Sequence, residues 1–125
     1  MHKSRLAGFI IDCHTDDLGQ AAEFWGQALG MTVRDLPSEA GKYARLVDPS
    51  DSLHIEVQSV THPSRVHLDI ETNDIEAEVA RLEALGAKRV EKIKTWWVME
   101  APTGQRFCVV RMQNPVFDAV ANQWP

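Results

Sequence analysis

Between residues 65 and 86 the chain changes its hydrophobic period from two to 3.6. Val66, Leu68 and Ile70 alternate with His67, Asp69 and Glu71, which predicts a strand with two unlike faces. Asn73 then stands where a helix cap is needed, and Glu76 three residues later completes a capping-box pattern. Ile75, Val79, Leu82 and Leu85 fall on one helical stripe, and Gly86 offers the left-handed residue that stops it. An earlier stretch repeats this plan. Phe9, Ile11 and Cys13 alternate with Ile10, Asp12 and His14, Thr15 or Asp16 is the cap candidate, and Leu18, Ala21, Ala22, Trp25 and Leu29 form the stripe that ends at Gly30. Asp17-Leu18…Ala28-Leu29-Gly30 echoes Asp74-Ile75…Ala84-Leu85-Gly86 at a near-constant offset. Such a self-match predicts two copies of one unit.

Each copy continues through three more strands. In the first copy these are residues 31–36, then 42–47 after a loop over Pro37, Ser38, Glu39, Ala40 and Gly41, then 53–60 after the turn Asp48-Pro49-Ser50-Asp51. Along 53–60, Leu53, Ile55 and Val57 oppose His54, Glu56 and Gln58. In the second copy the strands are 87–93, 95–100 and, after Pro102-Thr103-Gly104, 106–112, where Phe107 and Val109 oppose Arg106, Cys108 and Val110. The expected organisation is one 125-residue domain of two strand–helix–strand–strand–strand modules, about 6–60 and 65–113, with a tail over 114–125. In the tail, Val116, Phe117, Val120 and Trp124 are spaced for a short amphipathic turn or helix. It either folds back on its own domain or packs on a second subunit.

A four-stranded sheet with one helix has a face the helix does not cover. The helix side takes the apolar residues, so the other side carries Ile10, Asp12, His14, His54, Glu56, Gln58, His67, Asp69, Glu71, Arg106, Cys108 and Val110. That face is either a solvated sheet surface or the lining of a cleft shared by the two modules. Of the adjacent Trp96 and Trp97, one packs on a helix and the other faces the cleft or solvent; Trp97 is counted with the cleft residues. Tyr43 and a tryptophan there would suit a small, flat, partly polar or cationic ligand.

Composition narrows the partners more than the chemistry. A formal net charge of -5 disfavours nucleic acid or an anionic membrane, both of which need a basic surface. The 44% hydrophobic content is ordinary for a globular chain. Cys13 and Cys108 both sit in apolar strand patterns, unlike a disulfide scaffold. Before Asp12 there is no sustained apolar run of the kind a signal peptide or a membrane span requires. A soluble cytoplasmic protein is the expectation. No P-loop or dinucleotide glycine motif is present.

Several motifs together carry a family resemblance over about residues 6–113: Asp17-Leu18 through Phe24-Trp25 to Ala28-Leu29-Gly30; Val66-His67-Leu68-Asp69 with Asp74 and Leu82…Leu85-Gly86-Ala87; and Trp97-Val98-Met99-Glu100-Ala101-Pro102-Thr103-Gly104-Gln105-Arg106-Phe107. The sequence resembles the vicinal-oxygen-chelate superfamily, which contains glyoxalase I, bleomycin-resistance proteins and extradiol dioxygenases. It is most similar to the uncharacterised glyoxalase-like subgroup. The resemblance implies an α+β fold of two βαβββ modules forming a cupped mixed sheet, one helix per module on the outside. It also implies a homodimer and a cleft for a small molecule.

In metal-using members, ligands come from the first and last strands of each module. Carried over by position, these sites are Ile10, His67, Glu56 (Gln58 if the register shifts by two) and Cys108. Isoleucine cannot bind a metal, and His14 lies roughly 13 Å further along the strand, so the complete family centre is not expected. Glu56, His67 and Cys108 nevertheless make an acceptable zinc set with an open fourth position. Two readings follow. In the first, no metal is needed, and His67 works as a general base with Glu56 or Asp69 beside it. Asp12, His14, His54, Gln58, Glu71, Trp97 and Cys108 then line the cleft. In the second, His67, Glu56 and Cys108 hold zinc, nickel, manganese or iron for a lyase, isomerase or dioxygenase. A third reading makes the chain a non-catalytic interaction module that binds through its tail.

Overall fold

The computed structural model describes residues 1–35, 41–50 and 52–125. The expected loop over Ser38, Glu39 and Ala40, its flanks Leu36 and Pro37, and the turn residue Asp51 lie outside the described residues. The fold is α+β. Among the described residues the nine strands are β1 (His2–His14), β2 (Thr32–Asp35), β3 (Tyr43–Val47), β4 (His54–Val60), β5 (Arg65–Thr72), β6 (Lys88–Ile93), β7 (Trp96–Glu100), β8 (Arg106–Arg111) and β9 (Asn122–Trp124). Its helices are α1 (Leu18–Leu29), α2 (Ile75–Ala84) and the single turn α3 (Phe117–Val120).

The chain divides into two compact units: Gly8–Val66, and Met1–Ala7 together with His67–Pro125. Strand β1 contributes to both, which the predicted boundary near residue 6 did not anticipate. In the Gly8–Val66 unit the strand order is β2-β3-β4-β1. The last strand of this module returns parallel to the first, with Gly8 opposite His54 and Asp12 opposite Gln58. A Cβ on Gly8 would lie 1.9 Å from the His54 carbonyl oxygen, so only glycine allows this approach. Helix α1 is capped by Asp17 rather than by Thr15 or Asp16: Asp17 Oδ1 accepts from the Gln20 N–H at 3.0 Å, and the helix ends at Gly30 with φ 70°. Ala22 packs into Ile11, Ala44, Leu46, Ile55 and Val57, with Leu18, Ala21 and Trp25 at the margin of that core. The predicted stripe residue Leu29 is exposed, because it occupies the last helical position.

The second unit repeats this plan in the order β1-β5-β8-β7-β6. Strand β8 returns parallel to β5, with Asp69 opposite Cys108. The cap of α2 is Asp74 rather than Asn73: Asp74 Oδ1 accepts from the Ala77 N–H at 3.0 Å. Asn73 is engaged elsewhere, its Oδ1 accepting from the Lys3 N–H and its own N–H donating to the Lys3 carbonyl. It extends the pairing of β5 with β1. Val79 and Leu82 pack on Met99 and Val109, flanked by Ile70, Ile75, Trp97 and Phe107. Leu85 is exposed, since the helix has ended before it.

The tail folds onto its own unit. Strand β9 pairs antiparallel with β1, Trp124 opposite His2, and Phe117 is buried. The predicted helix is reduced to one turn because the chain straightens at Ala121 to reach β1. Trp124 Nε1 donates to Ser4 Oγ at 2.8 Å, and the Arg81 guanidinium carbon sits 3.9 Å from the Trp124 ring centre. Beneath them Glu78 is fully buried. It takes a two-pronged pair from Arg81 at 2.9 and 2.8 Å and lies 2.8 Å from His2 Nε2. Burial alone would push the Glu78 carboxyl up. Hydrogen bonds from Arg81, His2 and Ser4, with the Arg81 charge, outweigh it and hold the carboxyl below its usual range.

Candidate functional site

The uncovered face of the second unit gathers three chemically active side chains. Alternation along β5 puts His67 and Asp69 on the side opposite Ile70, and the parallel register sets Cys108 beside Asp69. His67 Nε2 lies 3.6 Å from Asp69 Oδ1, and the two side chains are only 15% and 14% exposed. One donor atom from each of His67, Asp69 and Cys108 falls within 4.8 Å of the others. The sequence named all three residues but placed Glu56, rather than Asp69, with His67 and Cys108 as a metal set.

Glu71, two positions further along the same face, is committed elsewhere. Its Oε1 accepts from the Gln113 and Asn114 N–H groups at 2.8 and 3.3 Å, and its Oε2 is 3.6 Å from Arg5. It anchors the start of the tail. Trp97 is on the other face. It is opposite Val109 across β7–β8, packs in the α2 core and has the Arg89 guanidinium carbon 5.0 Å from its ring centre. Its grouping with the cleft residues is therefore corrected. The signal was in the sequence: Trp97 shares parity with Met99, whereas Trp96 shares it with Glu100.

The remaining candidates belong to the Gly8–Val66 unit. Asp12 is buried, with Oδ2 3.7 Å from Arg65 Nε. His14 is exposed, and its backbone N–H donates to Ser64 Oγ. His54 Nε2 and Glu56 Oε2 are 2.8 Å apart, so Glu56 has a partner on its own strand. Gln58 Nε2 donates to the Tyr43 hydroxyl at 2.8 Å. The register also identifies module counterparts. Gln58, opposite Asp12, corresponds to Cys108, opposite Asp69; Ile10 corresponds to His67. The shift of two residues allowed for above is the arrangement observed, and Glu56 is not the counterpart of Cys108. Cys13 packs against the α1 core, where burial pushes its thiol up, only partly offset by Trp25.

What the fold and this face define is a class: a duplicated βαβββ protein with an imidazole, a carboxylate and a thiol gathered in one module. Comparison with known proteins makes it specific. Residues 8–110 match the glyoxalase-like domain family, and the chain belongs to that family, within the vicinal-oxygen-chelate superfamily. A hypothetical protein from Bacillus halodurans is similar in structure at TM-score 0.64 and 14% identity, with 89% of this chain and 96% of that one covered. Methylmalonyl-CoA epimerase from Mycobacterium tuberculosis gives 0.61 at 16% identity, covering 86% and 90%. A glyoxalase/bleomycin resistance protein/dioxygenase superfamily member from Vibrio splendidus gives 0.51 at 18%, covering 81% and 96%. At these identities the likeness is one of fold. No curated protein matches the sequence. Among the described residues no helix is long and apolar enough to cross a membrane.

Proposed function

We propose that this chain binds a small polar molecule at the face bearing His67 and moves a proton on it, without the complete metal centre of the metal-using relatives. The observation that carries the reading is the His67–Asp69 pair, 3.6 Å apart on one strand with Cys108 alongside. His67 is the proton acceptor. Asp69 orients the ring and stabilises its charged form, and Cys108 bounds the ligand on the β8 side. A positioned base of this kind contributes about 10²–10⁴-fold to rate. The isoleucine at position 10 supports the metal-free form, because the first module offers no imidazole there. The similarity to an epimerase supports proton transfer as the reaction type. That Cys13 and Cys108 are not joined in a disulfide supports a cytoplasmic setting, and exposed Leu6 and Leu68 support a homodimer.

The test is exchange of carbon-bound hydrogen. A panel of small carbonyl acids is incubated with the protein in deuterium oxide, and loss of C–H signals is followed by proton NMR. Exchange of at least one compound that falls 100-fold or more in His67→Gln, with the melting temperature unchanged, is the expected result. Exchange at the wild-type rate in that variant refutes the role of His67.

The clustering of three donors favours a second reading, in which His67, Asp69 and Cys108 hold a divalent ion. Imidazole, carboxylate and thiolate form an acceptable donor set with a position left open. One such atom from each of the three lies within 4.8 Å of the others, near enough for side-chain rotation to bring them onto a single ion. A bound ion would polarise a ligand oxygen and lower the barrier to proton loss beside it. Near one equivalent of metal in protein purified without chelator, lost in both His67→Ala and Cys108→Ser, establishes this reading over the first.

A further inference from the structure

A cavity in the Gly8–Val66 unit plays no part in the His67 chemistry. It is a groove of about 450 Å³ between α1 and β2, a size in the range of small-molecule sites. Gly19, Glu23, Gly26, Gln27 and Gly30 return to one side of α1 at the helical period and form one wall. At Gly26 the helix comes down onto β2: a Cβ there would lie 2.9 Å from Val33 Cγ2 and 3.1 Å from the Met31 carbonyl oxygen. The two ends of the wall are open instead. A Cβ on Gly19 would meet Asp17 Oδ1 at 3.6 Å, and one on Gly30 would meet nothing within 4 Å among the described residues. The missing side chains therefore leave space beside the strand. Val33 is opposite the core residue Leu46 across β2–β3, yet it is 40% exposed and gives the groove apolar surface next to Met31.

The electrostatics of the groove have one sign. Among the described residues lining it, Glu23 alone is charged. Glu23 Oε1 accepts from Gln27 Nε2 at 3.4 Å, a long bond that engages one of its two carboxylate oxygens. The last turn of α1 adds the partial negative charge of its carbonyl ends at Gln27 and Gly30, and it carries no basic residue to offset it. Residues 18–33 contain no lysine, arginine or histidine at all. We propose that this groove binds a small ligand built from an ammonium group on a short apolar stem. The ammonium pairs with Glu23 and the carbonyl end of α1, and the stem lies on Met31 and Val33. A neutral or anionic molecule of the same shape keeps the apolar contact and loses the charge pairing. The site lies wholly within the Gly8–Val66 unit and does not depend on the role of His67.

The experiment is a titration of the full chain, followed by its backbone amide signals in two-dimensional NMR. The probes are n-butylammonium chloride and, separately, n-butanol and sodium butyrate, at constant ionic strength. Saturable shifts with butylammonium are expected at the amides of Gly19, Gly26, Gly30 and Val33, with weaker binding of butanol and butyrate. Glu23→Gln weakens butylammonium binding by about threefold or more, since it removes the charge and keeps the shape. Gly19→Leu fills the open end of the groove and abolishes the binding. Both substitutions are at exposed helical positions, and the added Cβ at residue 19 makes only an ordinary contact, so both variants fold. Glu91→Gln, exposed on β6 of the other unit, keeps the wild-type affinity. The proposal is overturned if butylammonium gives no saturable shifts or shifts centred elsewhere. It is equally overturned if butanol or butyrate binds as tightly as butylammonium, if Glu23→Gln weakens binding less than threefold, or if Gly19→Leu still binds.

Discussion

Replacing Glu78 by glutamine tests whether a buried charge holds the tail and α2 together. The carboxylate receives two bonds from Arg81 and faces His2 at 2.8 Å, with its side chain fully out of solvent. Bonds to charged groups each contribute about 1.5–3 kcal/mol, and glutamine retains some of them in neutral form. The Arg81 side chain is 26% exposed and can recover part of its hydration once released. The net cost is therefore about 2–3 kcal/mol, short of the 3–5 kcal/mol typical when a buried charge is stranded. For a chain of this size that lowers the melting temperature by about 8–12 °C. The pH dependence has a defined sign. The folded Glu78 carboxyl lies below its unfolded value, so its contribution is complete above the unfolded value and fades as pH falls through the folded one. Urea denaturation at pH 7 and again through the acidic range measures both. The gap between wild type and Glu78→Gln is widest at neutral pH and closes on acidification. A gap under about 0.5 kcal/mol at pH 7, or one that does not narrow in acid, refutes the reasoning.

The other structural predictions are simpler. Gly8→Ala puts a methyl carbon 1.9 Å from the His54 carbonyl oxygen, so β1 and β4 must separate; a loss of about 2–3 kcal/mol in urea unfolding is expected, and a neutral result contradicts the parallel register. Asp74→Ala removes the bond to the Ala77 N–H and costs about 1 kcal/mol, whereas Asn73→Ala leaves the α2 cap in place. Amide hydrogen exchange separates the two: Asp74→Ala speeds exchange at the Ala77 N–H, whereas Asn73→Ala speeds it at the Lys3 N–H instead. Trp124→Phe removes the donor to Ser4 and weakens the ring beneath Arg81, for about 1–2 kcal/mol. Its unfolding midpoint, measured by circular dichroism, falls below that of the wild type.

Local chemistry explains what could be read from the chain and what could not. The two helices are written in their neighbours: an apolar stripe, an aspartate before it and a glycine after it. Asn73 misled because an asparagine caps a helix as well as aspartate does, and only its engagement with Lys3, 70 residues away, removes it from that role. Glu78 was invisible for a related reason. A glutamate on a helix reads as solvent-facing unless its distant partner is known, and His2 is 76 residues away. Strand β9 is too short to show a period, and β1 supplies the pairing that makes it a strand. Trp97, by contrast, was legible from its parity with Met99.

The duplication sharpens the reading of the site. Position for position, the first module offers Ile10, Asp12 and Gln58 where the second has His67, Asp69 and Cys108. Parallel pairing of first and last strands fixes the same geometry in both, so the difference lies in the side chains alone. Only the aspartate is kept, and Asp12 is buried against Arg65. The first module lacks the imidazole and carries an amide where the second has a thiol, so it cannot supply the same acid–base or ligating chemistry. Its own face instead holds the His54–Glu56 pair. Installing His at position 10 and Cys at position 58 would therefore test the equivalence directly. Ile10→His with Gln58→Cys should create a second donor cluster with Asp12, detected as metal uptake that the single substitutions lack. If the double variant takes up no more metal than Ile10→His alone, the register equivalence of Gln58 and Cys108 does not extend to their chemistry.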